Sequence, residues 1–321
     1  MRRAVILWLL WGGSCLAIGI AGSAATGQPP PERADTPTGG SLHLDLSKPL
    51  VVFSALVDEQ WDLFAWNPQA PSPPRRLTST PEDELRPSLA SDRRSLVYET
   101  TDGRLHHLDL TTGATRALPF ASDRHLDMQP AVSPDGQSVL LATSLSRELD
   151  DTNLAVIHLD GGSPPSQLEF PSSQFLPCWA TDGVQFAFVN LHARGWVGRV
   201  TTEIWMGSND PPLARQLTML DGLTIDPSWT PDATRVLFAS NCEGQYDIYS
   251  VDVQNREVLR LTRHPAADTD PVSDPDGTAI LFVSTRSGRL GLWLLRQSRP
   301  EATELRPFGA TETRCKDPDW R

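Results

Sequence analysis

Helical signal is missing from this 321-residue chain: past the first 25 residues no 10-to-15-residue amphipathic pattern alternates with the strand-like segments. A parallel α/β sheet is excluded on that ground, because its strands need crossover helices. Positive charge is also short, with 28 Lys and Arg against 40 Asp and Glu and no basic cluster. Nucleic-acid binding rests on neutralising phosphates and is not expected of so acidic a chain. Cysteine is scarce. Beyond Cys15 there are three, Cys178, Cys242 and Cys315, at scattered positions without metal-ligand spacing. One disulfide in an oxidising compartment stays open, beside free or buried thiols. The sequence further lacks a Gly-x-Ser-x-Gly elbow, a His-Glu-x-x-His pair and a phosphate-binding loop.

What the chain does contain is repetition. Prolines at Pro87, Pro130, Pro177, Pro227, Pro271 and Pro318 open six copies of one pattern, 43, 47, 50, 44 and 47 residues apart. That spacing is the period of a four-stranded propeller blade. Five residues after the proline stands an aspartate in every copy that runs so far: Asp92, Asp135, Asp182, Asp232 and Asp276. Turn formers surround it, as in Ser133-Pro134-Asp135-Gly136, so a tight reversal is predicted there. β-formers follow at strand length, for example Val236-Leu237-Phe238 and Ile280-Leu281-Phe282. A third strand is predicted from aliphatic–aromatic pairs such as Leu63-Phe64, Ile204-Trp205 and Ile248-Tyr249. A fourth is predicted from Arg76-Leu77-Thr78, Gln216-Leu217-Thr218 and Arg260-Leu261-Thr262. Trp179, Trp229 and Trp320 each fall two residues after a unit proline and read as packing residues.

The two ends complement one another. Residues 50–78 supply the second, third and fourth strands of a unit, and Pro318-Asp319-Trp320-Arg321 reads as a first strand. Joined, they make one blade and remove two unpaired sheet edges. The expected fold is all-β: a six-bladed β-propeller of four-stranded antiparallel blades, closed by pairing N-terminal and C-terminal strands.

On these motifs, over residues 50–321, the chain resembles the TolB-like six-bladed propellers built from Pro-x-Trp-Ser-Pro-Asp-Gly repeats. Pro227-Ser228-Trp229-Thr230-Pro231-Asp232 is the nearest copy. The resemblance implies an exported, non-enzymatic ring that docks a protein or peptide in the bacterial cell envelope, where TolB-like rings hold a lipoprotein over the channel mouth. It covers the ring alone, since the separate α/β domain that precedes the TolB propeller has no room here.

The first 25 residues read as an export signal. Arg2-Arg3 gives a positive start, Ala4 to Trp11 is apolar, and Ser23-Ala24-Ala25 suits cleavage. Retention as an anchor and lipid attachment at Cys15 are the alternatives. Residues 26–49, rich in Pro, Gly and Thr up to Ser41, read as a tether leading to the ring. A periplasmic or otherwise exported monomer without a cofactor is expected.

In an up-down-up-down blade the loops from fourth to first strand and from second to third share one face. Length variation falls there, around Arg147 to Thr152 and His192 to Val200, so this is expected to be the working face. Acids shortly before the unit prolines, Glu84, Asp127, Asp226, Asp268, Asp270 and Asp317, are the candidate partner-binding residues. Set on innermost strands, they are expected to surround the channel mouth and favour a basic partner segment or a divalent cation. The alternative reading is that each only caps its own turn. The alternative function is a metal-dependent polysaccharide lyase or lactonase using His125, His192 and His264, whose spacing does not demand it.

Overall fold

The computed structural model describes residues 42, 44–70, 72–120, 126–144, 152–194, 199–209, 212–299, 301–309, 311 and 313–321. All regular structure in them is β. Numbered in chain order, β1 (Val51–Val57), β2 (Gln60–Trp66) and β3 (Arg75–Arg76) join the last strand, β24 (Cys315–Trp320), as blade VI, in the order β24-β1-β2-β3. Blade I follows as β4 (Glu84–Leu89), β5 (Ser95–Thr100), β6 (Arg104–Asp109) and β7 (Thr115–Ala117). Blade II is β8 (Leu126–Val132), β9 (Ser138–Ser144), β10 (Asn153–His158) and β11 (Ser166–Leu168). Blade III is β12 (Gln174–Trp179), β13 (Gln185–Arg194), β14 (Arg199–Asn209) and β15 (Pro212–Gln216). Blade IV is β16 (Thr224–Trp229), β17 (Arg235–Ser240), β18 (Asp247–Asp252) and β19 (Val258–Arg260). Blade V is β20 (Asp268–Ser273), β21 (Ala279–Ser284), β22 (Gly291–Arg296) and β23 (Thr303–Leu305). Every blade is a four-stranded antiparallel meander, as the repeat implied.

The joint forms from both termini. Val51 pairs with Trp320 and Ala55 with Cys315, and Leu50 and Arg321 exchange backbone hydrogen bonds of 2.8 and 3.1 Å. The segment before β1 also packs: Leu42 is buried against Leu50, Leu63 and Leu96, with Leu44 and Leu46 beside it. So the end of the stretch read as a tether buries apolar surface through its alternating leucines. Residues 1–25, read as an export signal, with Cys15, residues 26–41 and His125 lie outside the described residues, as do residues 145–151 of the blade II insertion and 195–198 of the blade III insertion.

Two sequence signals acquire a physical cause. The Leu and Thr of Arg-Leu-Thr lie just past the fourth strand and extend its ladder: Leu77 N–H donates to Leu63 O, and the Thr78 hydroxyl accepts from Leu63 N–H. Thr218 and Thr262 accept from Ile204 and Ile248 in the same way, each at 2.9 Å. The arginine reaches back to a fully buried acid on the third strand, Arg76 to Asp62 and Arg260 to Asp247, both at 2.6 Å. Gln216 cannot make that ion pair, and there Glu203 accepts from the Thr218 hydroxyl at 2.7 Å.

The unit proline does not open the first strand but sits inside it. In all six inner strands the ladder skips the proline and the residue before it, while the neighbouring strand skips one residue. This is a β-bulge, and it resolves the conflict between proline's missing N–H and a strand interior.

Candidate functional site

Six bulges of the innermost strands face the propeller's axis. The residue before each proline is Arg86, Gln129, Leu176, Asp226, Asp270 or Asp317, and all six have left-handed backbone with φ of 48 to 55°. Non-glycine residues adopt that conformation at a cost of roughly 1–2 kcal/mol each. It turns their side chains out of strand alternation and onto the channel wall.

Four of the six bulge N–H groups are taken up around the ring. Asp317 Oδ2 accepts from Arg86 N–H and Asp226 Oδ2 from Asp270 N–H, each at 3.4 Å, while Gln129 Oε1 accepts from Leu176 N–H at 2.8 Å. Arg86 has no acceptor to offer the next blade. Glu99 takes that part, accepting from Gln129 N–H while its other oxygen lies 3.4 Å from Arg86 Nε.

Between the bulges and the turns that join first to second strands lies a cavity of about 390 Å³. Trp179, Trp229 and Trp320 are on its wall, as are Ser91, Arg93, Thr181, Pro231 and Pro275 from the turns. It therefore opens on the face of the first-to-second-strand turns, opposite the face singled out by loop length. On that opposite face the blade III insertion is an extended hairpin, with His192 paired to Thr201 and Arg194 to Arg199 in backbone register.

The six acids read from the sequence divide by position. Asp226, Asp270 and Asp317, immediately before a unit proline, line the channel on consecutive blades IV, V and VI. Glu84, Asp127 and Asp268 stand three before it, are almost fully buried, and do not line the channel. Glu84 accepts from the N–H and hydroxyl of Thr80, closing the loop before its strand. Asp268 is held by Arg286 at 2.6 Å. Asp127 lies at a small separate cavity with Glu99 and Gln129. In a regular strand, positions minus one and minus three share a face. The bulge separates them.

Arg86, Gln129 and Leu176, the matching positions of blades I to III, were missed by a search for acids. Aligning the repeats on their prolines marks all six places. His192 accepts from the Trp205 indole N–H at 3.2 Å, and His264 from Ala266 N–H at 3.1 Å. No three His, Cys, Asp or Glu residues form a metal-holding group among the described residues. Cys178, Cys242 and Cys315 are free thiols, and burial pushes those of Cys178 and Cys315 up to about 12.

Charge on the channel wall is uneven. Burial raises Asp317, but Lys316 at 3.6 Å and Arg86 outweigh it and hold the carboxyl below the ordinary range. Burial pushes Asp226 up to about 6, partly opposed by Arg86. Asp270 is raised well above its ordinary value by burial and by the neighbouring Asp226 and Asp317. Among the described residues no cation lies at ion-pair distance from Asp226 or Asp270, though Arg86 acts to lower both from farther off.

The family model of the TolB beta propeller domain matches residues 153–316. Among solved structures the chain is similar to TolB from Acinetobacter baumannii at 17% identity and a TM-score of 0.68, covering 84% of this chain and 66% of that one. It is also similar to a putative TolB from Agrobacterium tumefaciens, at 18% identity and a TM-score of 0.64 over 85% of this chain and 98% of that one. An oligogalacturonate lyase in complex with manganese shares the fold at 15% identity and a TM-score of 0.57, over 79% of this chain and 73% of that one. No curated protein matches by sequence. A family match across half of the chain, carried by six bulged, proline-bearing inner strands around one channel, places this protein in the TolB beta propeller domain family.

Proposed function

We propose that this chain is an exported, non-enzymatic, monomeric propeller that docks a protein or peptide of the cell envelope at its channel. The observation that carries the reading is the open cavity of about 390 Å³, walled by Asp226, Asp270 and Asp317 from consecutive blades and by three tryptophans. Aromatic side chains around a concave, partly charged centre are the usual material of binding hot spots. Likeness to TolB structures supports the envelope assignment, as does the apolar N-terminal stretch after Arg2-Arg3. No helix of the described residues is long and apolar enough to cross a membrane.

Docking belongs on the face of the first-to-second-strand turns, where the cavity opens. A photo-crosslinking amino acid at Ser91, on that rim, is expected to trap a discrete partner in the native cell envelope, and one at His192 to trap none. Cross-links from His192 alone would move the docking face, and none from either position would remove the reading. The mass of the mature protein, taken from the same cells, tests cleavage after Ala25 against retention of the leader or a lipid on Cys15.

A further inference from the structure

We propose that the channel receives one cationic side chain, an arginine or lysine carried by the docked segment, which enters from the turn face and lies against Asp226 and Asp270. This deepens the docking reading and rests on it.

Pairing of the charges around the channel leaves a vacancy of one sign. Arg86 is engaged by Glu99 at 3.4 Å, and Lys316 by Asp317 at 3.6 Å while standing 4.8 Å over the Trp61 ring. At the outer end Arg321 lies 3.4 Å from Asp319, and Arg93 donates to the Leu46 carbonyl. Asp274 is satisfied within its own turn by Ala279 N–H and the Thr278 hydroxyl. What remains is Asp226 and Asp270, joined by a carboxylate-to-backbone hydrogen bond, with no cation at ion-pair distance from either among the described residues and Arg86, held by Glu99, acting on them only from farther off. Two carboxylates crowded on a poorly solvated wall are costly without a counter-charge.

A second, independent feature points to a ligand with acceptors as well as charge. Trp179 and Trp320 line the same cavity and are 9% and 6% exposed, and their indole N–H groups, sealed from solvent in this conformation, have no acceptor among the described residues. Buried indole N–H groups ordinarily find a partner, as Trp229 of blade IV does by donating to the Cys178 carbonyl at 3.2 Å. A peptide supplies both missing parts: backbone carbonyls for indole groups that turn toward it, and a long side chain whose alkyl stem runs along tryptophan while its head reaches the acids. A metal ion would use the acids alone, and no third ligand joins them among the described residues.

The test uses the full chain and the pentapeptide amide Ac-Gly-Ser-Arg-Ser-Gly-NH2, its neutral citrulline counterpart, and free arginine amide, by calorimetry and tryptophan fluorescence at low ionic strength. The arginine peptide is expected to bind and change the fluorescence, with the citrulline peptide at least about tenfold weaker. Asp226→Asn and Asp270→Asn are each expected to weaken the arginine peptide by a similar factor, and Asp160→Asn, removing an exposed acid elsewhere, to leave it unchanged. Equal binding of citrulline, unchanged affinity in both channel variants, or no binding of the arginine peptide overturns the proposal. Binding of arginine amide as tight as that of the peptide overturns the docked segment as its source. Circular dichroism confirms folding, and either channel variant suffices if the other fails to fold. Cross-links from Ser91 that persist in a channel variant, with no peptide binding, would leave docking standing and remove only the inserted cation.

Discussion

Asp226 and Asp270 show at the scale of single residues how an acidic channel wall costs stability. Both carboxyls titrate higher in the folded chain than the ordinary 3.8, chiefly through burial, and Asp226 rises to about 6. The native state therefore holds these protons more tightly than the unfolded chain. The associated stability is fully present below the unfolded value and is lost as pH rises, for Asp226 through about 6 and for Asp270 through its own raised value. Arg86 opposes the shift and Asp317 adds to it, whereas Asp317 itself, lowered by Lys316 and Arg86, favours folding above its unfolded pKa and loses that contribution on acidification. Asp270→Asn keeps the side-chain shape and removes one charge of the pair. It should raise stability by on the order of 1 kcal/mol more at pH 7.5 than at pH 4.5, because acidification favours the uncharged native carboxyl. Thermal unfolding of both proteins at the two pH values checks this. An equal effect at both would show that the repulsion is not what Asn removes.

At the scale of the element, the repeated Arg-Leu-Thr signal acts through the third strand rather than within the fourth. Arg260 is the partner of Asp247, which is wholly buried and also accepts from Gln245 and from His264 N–H. Arg260→Met leaves that carboxylate without its counter-ion, and a cost of about 3 kcal/mol is expected. Thr262→Val removes the acceptor of Ile248 N–H at 2.9 Å and should cost about 1–2 kcal/mol. Lys48→Met, at the exposed Lys48–Asp45 pair, should produce no measurable change. Urea denaturation gives all three. A loss for Arg260→Met no larger than for Lys48→Met would show that the buried acid is satisfied without its arginine.

The same elements show what a reader of the sequence can and cannot see. Blade number, turn positions and the terminal joint follow from spacing, because each blade must bury the same faces and so repeats the same residue types. Proline marks a strand's edge in most sequences, and nothing local announces that here it sits mid-strand in a bulge. Sorting Glu84, Asp127 and Asp268 from Asp226, Asp270 and Asp317 required the backbone rotation at that bulge. The end of the channel that the cavity reaches is set by the inner strands and the turns that follow them. Loop length carries no information about that.

For the molecule as a whole, closure holds the ring together. β24 completes blade VI by pairing with β1, and it is also stitched to blade I, where Leu89 N–H donates to Asp319 at 2.7 Å and Arg86 N–H to Asp317. On its other side Trp320 packs with Val51, Leu281 and Leu292, tying blade V to blade VI. A propeller blade is stabilised by its neighbours much as a repeat in an array is, so losing one inner strand weakens two interfaces together. Deleting residues 315–321 removes that strand, uncovers Val51 and Phe53, and leaves β1 as an unpaired edge able to template another chain. The full chain should unfold in one transition as a monomer. The truncated chain should elute as oligomers in size-exclusion chromatography and unfold at markedly lower urea with a broadened transition. Adding a synthetic peptide of residues 313–321 should restore the monomer, because what is missing is a strand rather than information for the other five blades. A truncated chain that stays monomeric with an unchanged midpoint would show that the interfaces around blade VI hold the ring without its closing strand.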